Sequence, residues 1–366
     1  MNIIKKIHLW LSVPFGLVIS ITCFTGAMLV FEREITESVY RQLYIVDTPS
    51  EHPMAIDELT AIVQASVDSG VTVTGVTVFD DSERAYQVSL SKPHRASVYI
   101  DQYTGEIKGH NVRFPFFATM FRLHRWLMDT RQTEGVFWGK MIVGVSTLLF
   151  VIILVTGLIV WVPRNRKMLA NRLKVALGKG WRRFWYDLHV VGGFYALVLL
   201  LAMSLTGLTW SFPWYRDAFY GLFGAEKQVV AQHNHNGDER KPKRRVENPF
   251  ANWQVAYDNV AARAKDYSKI SVRRGEVTVT LAGLGNQRAS DRYKFDASTG
   301  EVTDVEYYAD APRRTKVSGW VYSVHVGNWG GMATRILAFL AALFGASLPL
   351  TGYYLWLKRI MIKKRK

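Results

Sequence analysis

Four of the nine histidines in this 366-residue chain stand in matched contexts. His8 in "KKIHLWL" and His189 in "WYDLHVVGG" open two long apolar blocks, whereas His124 in "FRLHRWL" and His325 in "VYSVHVGNWGG" precede two others. Neutral imidazole is a good axial ligand for iron, and two imidazoles from facing helices can hold a haem b without covalent attachment. Gly16, Gly192, Gly193 and Gly327 stand beside these positions and would let a flat macrocycle approach the backbone. Iron with two imidazole ligands has no open position, which suits electron transfer better than oxygen binding. The reading is two bis-His haem b groups, one on His8 and His189 and one on His124 and His325. For the second group, the alternative is that another residue replaces one partner.

Plainer roles compete with this one. A single interfacial histidine is usually an amphipathic residue at the headgroup level, as Trp10, Trp126, Trp185 and Trp320 would be; the duplicated contexts are what favour ligation. Arg122, Arg125 and Arg335 lie close in sequence and suit haem propionates, since guanidinium pairs well with carboxylate. Headgroup contact or snorkelling is the equal alternative. Thr25-Gly26, Thr156-Gly157, Thr206-Gly207 and Thr351-Gly352 read as sites of close helix packing, with Thr bonding back to its own helix. His233 and His235 lack the third and fourth ligands of a defined metal site. His52, His94 and His110 have no clustered partners, and Lys241, Lys243, Arg244 and Arg245 read as solvated charge. The single cysteine, Cys23, excludes an internal disulfide framework, Cys-ligated iron–sulfur clusters and C-x-x-C-H haem attachment. No G-x-G-x-x-G run follows a strand, so no nicotinamide or flavin domain is recognisable.

The elements that must position these residues are apolar. A mean hydropathy of +0.02 conceals four blocks, Leu9 to Phe31, Met141 to Pro163, Leu188 to Tyr215 and Ile336 to Leu357, without Asp, Glu, Lys or Arg. Each is long enough to cross a ~30 Å hydrocarbon core. The formal charge of +16 comes from 46 basic against 30 acidic residues. Nearly all the excess sits before the first block, between Arg164 and Arg183, and after Lys358. By the positive-inside rule these segments face the cytoplasm, so the excess charge is topology and a nucleic-acid partner loses its support. The first block ends in Phe31-Glu-Arg-Glu without a small-residue cleavage pattern and reads as a retained anchor. Both termini are expected inside.

The sequence also repeats itself. "YIDQYTGEI" at 99–107 and "YKFDASTGEV" at 293–302 align Asp101, Thr104, Gly105 and Glu106 with residues 195 later, and the same offset relates Thr156-Gly157 and Trp161 to Thr351-Gly352 and Trp356. At an offset of 181, His8, Thr25 and Gly26 match His189, Thr206 and Gly207. The expected fold is an integral membrane protein with four transmembrane α-helices in two repeats, each helix pair flanking an external α+β domain. The expected boundaries are 1–32 for the first helix, 33–120 for the first external domain, 121–163 for an interfacial segment and second helix, and 164–187 for a basic loop. The third helix takes 188–214, the second external domain 215–320, an interfacial segment and fourth helix 321–357, and a basic tail 358–366. Helices are expected at 54–69 and 252–265, with strands at 71–79, 84–91, 96–101, 269–282, 291–296 and 301–308. The loop 224–250 separates the halves. Gly327, Gly330 and Gly331 make a continuous helix from His325 improbable, so the outer ligands are expected on short interfacial helices.

With these motifs in view, the chain resembles the PepSY-associated transmembrane helix family of iron-regulated membrane proteins, which includes bacterial siderophore reductases. The resemblance is carried by "HLWLSVPFG" with Thr25-Gly26, "FRLHRWLMD" with "TGLIVW", "WYDLHVVGGFY" with Thr206-Gly207, and "VHVGNWGGMATRIL" with Thr351-Gly352. It implies a bacterial inner-membrane protein with two PepSY modules in the periplasm and two b-type haems on His8, His189, His124 and His325. Electrons would enter from a cytoplasmic or quinol donor at the His8/His189 haem and leave from the His124/His325 haem. The acceptor implied is a ferric siderophore or other ferric chelate, as a membrane oxidoreductase of iron acquisition would use. The rival reading is a haem-free membrane protein whose PepSY modules bind a peptide or regulate a protease. A permease for the chelate is disfavoured, because the four membrane blocks hold no internal charged residue.

Overall fold

The computed structural model describes residues 2–50, 52–111, 113–130, 135–163, 165, 168–169, 172–176, 178–225 and 250–363. His233, His235, Lys241, Lys243, Arg244 and Arg245 lie outside the described residues. The helices, in chain order, are α1 (Asn2–Leu29), α2 (Glu32–Val39), α3 (Arg41–Tyr44), α4 (Ile56–Ser66), α5 (Pro115–Trp126) and α6 (Trp138–Trp161). Then come α7 (Trp181–Asp187), α8 (Gly193–Ser211), α9 (Pro213–Gly221), α10 (Trp253–Ala261), α11 (Arg313–His325) and α12 (Gly331–Lys363). A π-helical turn, Leu188–Gly192, joins α7 to α8. The chain divides into two units, one of Met1–Arg33, Phe114–Phe223 and Trp320–Lys366, the other of Glu34–Arg113 and Gly224–Gly319.

The first unit is a helical bundle. Four helical stretches, Ile3–Leu29, Trp138–Trp161, Trp181–Ser211 and Gly331–Ile362, are long and apolar enough to cross a membrane. Even the shortest, at 24 residues, is about 36 Å long, and a helix can enter lipid because it satisfies its own backbone hydrogen bonds. Large apolar side chains such as Leu17, Tyr195 and Val198 stay exposed on the outside of the bundle, the face that lipid would cover. Inside, α1 packs against α6 and α12, and α8 packs against the same two helices, so the four close into a ring. Ile19, Phe150, Ile153, Leu154, Ala196, Leu200 and Ala341 fill its centre. The start of α1 meets the end of α6, because His8 bonds to Ile153 and Thr156; the start of the third span meets the end of α12, because His189 bonds to Thr351. The bundle therefore has one end near the chain termini and a far end where α1 and α8 finish.

The second unit is an eight-stranded antiparallel sheet. Its strands are β1 (Val73–Phe79), β2 (Tyr86–Leu90), β3 (Ser97–Ile100), β4 (Ile107–His110), β5 (Tyr267–Arg273), β6 (Glu276–Leu281), β7 (Ser290–Phe295) and β8 (Val302–Glu306). The spatial order is β4-β3-β2-β1-β5-β6-β7-β8. The segments 33–120 and 215–320, expected as two external domains, thus share one sheet: β1 and β5 pair with Val76 opposite Val272 and Val78 opposite Ile270. Each strand would otherwise leave a row of unpaired backbone groups at a sheet edge, which pairing removes. One sheet face is apolar, and α4 and α10 cover it; Leu59, Val63, Trp253, Ala256 and Val260 join Val76, Val88, Ile100, Ile270, Val272 and Val277 in a single core. Asp57 links the two helices by accepting the N–H groups of Asn252 and Gln254 at the start of α10. The two D-x-x-T-G-E segments form matching turns, with Gly105 and Gly300 at φ of 73° and 76°, the left-handed region that glycine enters without steric cost.

Candidate cofactor-binding site

The four matched histidines stand at the two ends of the bundle, each facing a Thr–Gly pair on another helix. At the termini end, His8 Nδ1 lies 3.1 Å from the Ile153 carbonyl and 3.2 Å from Thr156 Oγ1. His189 Nδ1 lies 2.9 Å from Thr351 Oγ1, with the Leu348 carbonyl as its backbone partner. At the far end, His124 Nδ1 is 2.9 Å from the Thr22 carbonyl. His325 Nδ1 is 2.9 Å from the Met203 carbonyl and 3.3 Å from Thr206 Oγ1. In every case the acceptor carbonyl lies three residues before the threonine of a Thr–Gly pair.

This geometry fixes the tautomer. A carbonyl oxygen only accepts, so each Nδ1 carries the proton and donates it. The threonine hydroxyls of residues 25, 156, 206 and 351 spend their own protons on carbonyls of their own helices, which leaves their oxygens free to accept. Nε2 of each ring then holds its lone pair, the arrangement that metal-bound histidine adopts when its other nitrogen is anchored. At residues 26, 157 and 207 the glycine after the threonine makes room for the ring, and at residue 352 it lies beside the ring. A Cβ at Gly26 would stand 2.9 Å from His124 Cε1, one at Gly207 3.0 Å from His325 Cε1, one at Gly157 3.2 Å from His8 Cε1, and one at Gly352 3.7 Å from His189 Cε1.

Local backbone structure aims the rings. His189 sits in the π-helical turn Leu188–Gly192, a local widening often found at functional positions, and Gly192 admits the Phe344 ring beside it. His325 is the last residue of α11; Gly327 and Gly331, at φ of 74° and 68°, turn the chain before α12 begins. The helix α5 ends one turn after its histidine, at Leu127 in the left-handed region. The far-end histidines thus ride on short helices ahead of the spans, as the glycine spacing suggested.

The structure brings His124 and His325 together, with ring centroids 6.1 Å apart and planes tilted by 52°. Two imidazoles on opposite sides of one metal ion, with metal–nitrogen bonds of about 2 Å, place their centroids roughly 6 Å apart, so the pair fits a bis-imidazole iron. Trp210 packs its edge against His325 at 5.0 Å. Enclosure pushes the His325 imidazole down to about 4, with His124 adding to the effect, and enclosure likewise holds His124 below its ordinary value. Both rings are neutral near pH 7, the form that binds metal. His8 and His189 stand on opposite helices of the ring, both at the termini end. Among the described residues, no three or more His, Cys, Asp or Glu side chains gather as a metal site.

The three arginines part company. Arg125 lies over the Phe121 and Trp126 rings, 5.6 Å from each, and its charge reaches both His124 and His325. Arg335 is buried, donates to the Val30 carbonyl just past the end of α1 and stacks on Phe31 at 5.3 Å. Arg122, on α5, donates to the Met128 carbonyl just past the end of that helix at 3.3 Å. Sequence reasoning gave the Thr–Gly pairs a packing role alone; the equal separation of His8 from Gly26 and of His189 from Gly207 was the available signal.

A ring of four membrane-length helices joined to an antiparallel sheet unit defines a multi-pass membrane protein. The family model described as the PepSY-associated TM region matches residues 5–359, and the chain belongs to that family. No curated protein matches it.

Proposed function

We propose that this protein binds two haem b groups, one between His8 and His189 and one between His124 and His325, and passes electrons across a bacterial inner membrane. The observation that carries the reading is the fourfold recurrence of an anchored Nδ1–H with a free Nε2 on rings seated against glycine. Haem iron held by two imidazoles supplies one-electron transfer. The chain's own part is to hold and orient four imidazoles, keep them neutral and exclude water. Arg125, beside the far-end pair, suits a propionate. The clustered basic residues support, by the positive-inside rule, a cytoplasmic termini end, and the chain segments that follow the first and third spans would then be periplasmic. The electron donor is then cytoplasmic or a quinol, and the acceptor is a periplasmic ferric chelate, a ferric siderophore in the reading that the family supports. The matched sequence segments and the order helix, four strands, found once on each side of the β1–β5 pairing, support an internal duplication.

The test uses haem-loaded full-length protein in liposomes with reductant inside and a ferric chelate plus a ferrous-iron trap outside. Wild type should reduce the chelate, and His124→Ala or His325→Ala should abolish reduction. Undiminished reduction by both variants would overturn the electron path.

A further inference from the structure

The first and third transmembrane helices each play two parts. The first span carries His8 at the termini end and Thr25-Gly26 at the far end, 18 residues or about 27 Å of helix away. The third repeats this with His189 and Thr206-Gly207. The second and fourth are preceded by His124 and His325 at the far end and carry Thr156-Gly157 and Thr351-Gly352 at the termini end. Every pair meets a histidine from a different helix: Gly26 with His124, Gly157 with His8, Gly207 with His325 and Gly352 with His189.

We infer that the four Thr–Gly pairs, each with the carbonyl three residues before it, are ligand-positioning elements exchanged between helices: the carbonyl, joined by the threonine hydroxyl at residues 156, 206 and 351, takes the Nδ1–H of one haem ligand and so sets its ring orientation. This rests on the haem reading above and says which residues beyond the ligands control each centre. Packing alone asks only that small residues face a neighbouring helix. It does not ask that each pair meet an imidazole or that the bonded carbonyl always lie three residues earlier. Anchoring the outer nitrogen of a metal-bound histidine fixes its orientation and raises its basicity, and loss of such a partner costs metal affinity on the order of 10- to 100-fold. The exchange also ties assembly of each centre to correct bundle pairing, since no helix holds both a ligand and its anchor.

The glycine substitutions should give both a map and a ranking. Gly26→Ala and Gly207→Ala should disturb only the His124/His325 centre, and Gly157→Ala only the His8/His189 centre. The order of effect should follow the room available: a Cβ at 2.9 Å for Gly26 and 3.0 Å for Gly207 forces the ring to move, 3.2 Å for Gly157 asks less, and 3.7 Å for Gly352 is ordinary contact. Thr351→Val should raise the potential of the His8/His189 centre by removing an acceptor from its ligand, and Thr351→Ser should restore it.

The experiment purifies full-length wild type and the four glycine variants from haem-supplied cells and measures haem per chain, the low-spin electron paramagnetic resonance signals and both midpoint potentials. Thermal unfolding of each variant is followed in parallel. The expected result is a centre-specific change, with haem affinity at the disturbed centre down about 10- to 100-fold for Gly26→Ala and no change for Gly352→Ala. In a His124→Ala background, Gly26→Ala should add nothing to the spectrum. Two unchanged centres in Gly26→Ala and Gly207→Ala, or equal disturbance of both centres by each, would overturn the inference while leaving the haem reading standing. If the glycine variants fail to fold, the Thr351 pair decides: a potential unmoved by Thr351→Val overturns it too. Wild type without haem would remove the proposed function and this inference with it.

Discussion

The two units solve the problem of specifying a structure in different ways. In the sheet unit, order comes from apolar continuity: valines and isoleucines of β1, β2, β3, β5 and β6 share one core with α4 and α10, and β1 meets β5 in regular register. In the bundle, apolar side chains face both inward and outward, and burial alone cannot choose the rotation of a helix whose surroundings are also apolar. Rotation there is set by a few polar points: His8 on Ile153, His124 on Thr22, His325 on Met203, and Tyr353 Oη on the Val13 carbonyl. Single-atom contacts should therefore govern function in the bundle, and volume should govern stability in the sheet.

The largest effect that would test this contrast is loss of a whole cofactor. His124→Ala should leave one haem per chain, with the His8/His189 centre spectrally intact and the sheet unit's unfolding unchanged. In the sheet, Ile270→Ala, at a fully buried position of the β1–β5 pairing, should cost ~2–5 kcal/mol. Denaturant unfolding of the full-length protein should show it, with haem content unaltered. A smaller change is expected from Arg125→Gln, which removes positive charge beside His124 and His325. Potentiometric titration should find the far-end centre shifted to lower potential and the other centre unmoved. The mildest test is acidification of haem-free protein. His325 titrates near 4 in the fold against an ordinary 6.5, so the unfolded chain takes up its proton first. Its contribution is complete above about pH 6.5 and is lost as pH falls toward 4; His325→Gln should flatten that part of the stability profile.

How much was legible in sequence follows the same division. The four spans were readable because an uncharged apolar run of that length is rarely anything but a membrane helix, although α1 begins before Leu9 and α12 continues past Leu357. The strand expected over 269–282 is a hairpin, since Arg274-Gly275 turns the chain with Gly275 at φ 75°. The strand β4, Ile107–His110, was missed because "IKGH" has no alternation to detect. The β1–β5 pairing left no trace in periodicity: Val76 and Val272 are almost 200 residues apart, and a buried valine reads the same whatever strand it faces. At the candidate site, the duplicated contexts singled out the four histidines. Their anchors stayed hidden because Thr–Gly on a membrane helix looks the same whether it meets another helix or an imidazole.

Whether the four histidines hold two haem groups is decided by the visible spectrum of the detergent-purified full-length protein, oxidised and reduced, with haem quantified per chain. The expected result is sharp reduced bands of low-spin haem b at two per chain. A colourless protein from cells supplied with haem would contradict it, returning the histidines to a role in helix packing and leaving the peptide-binding reading of the sheet unit as the one to pursue.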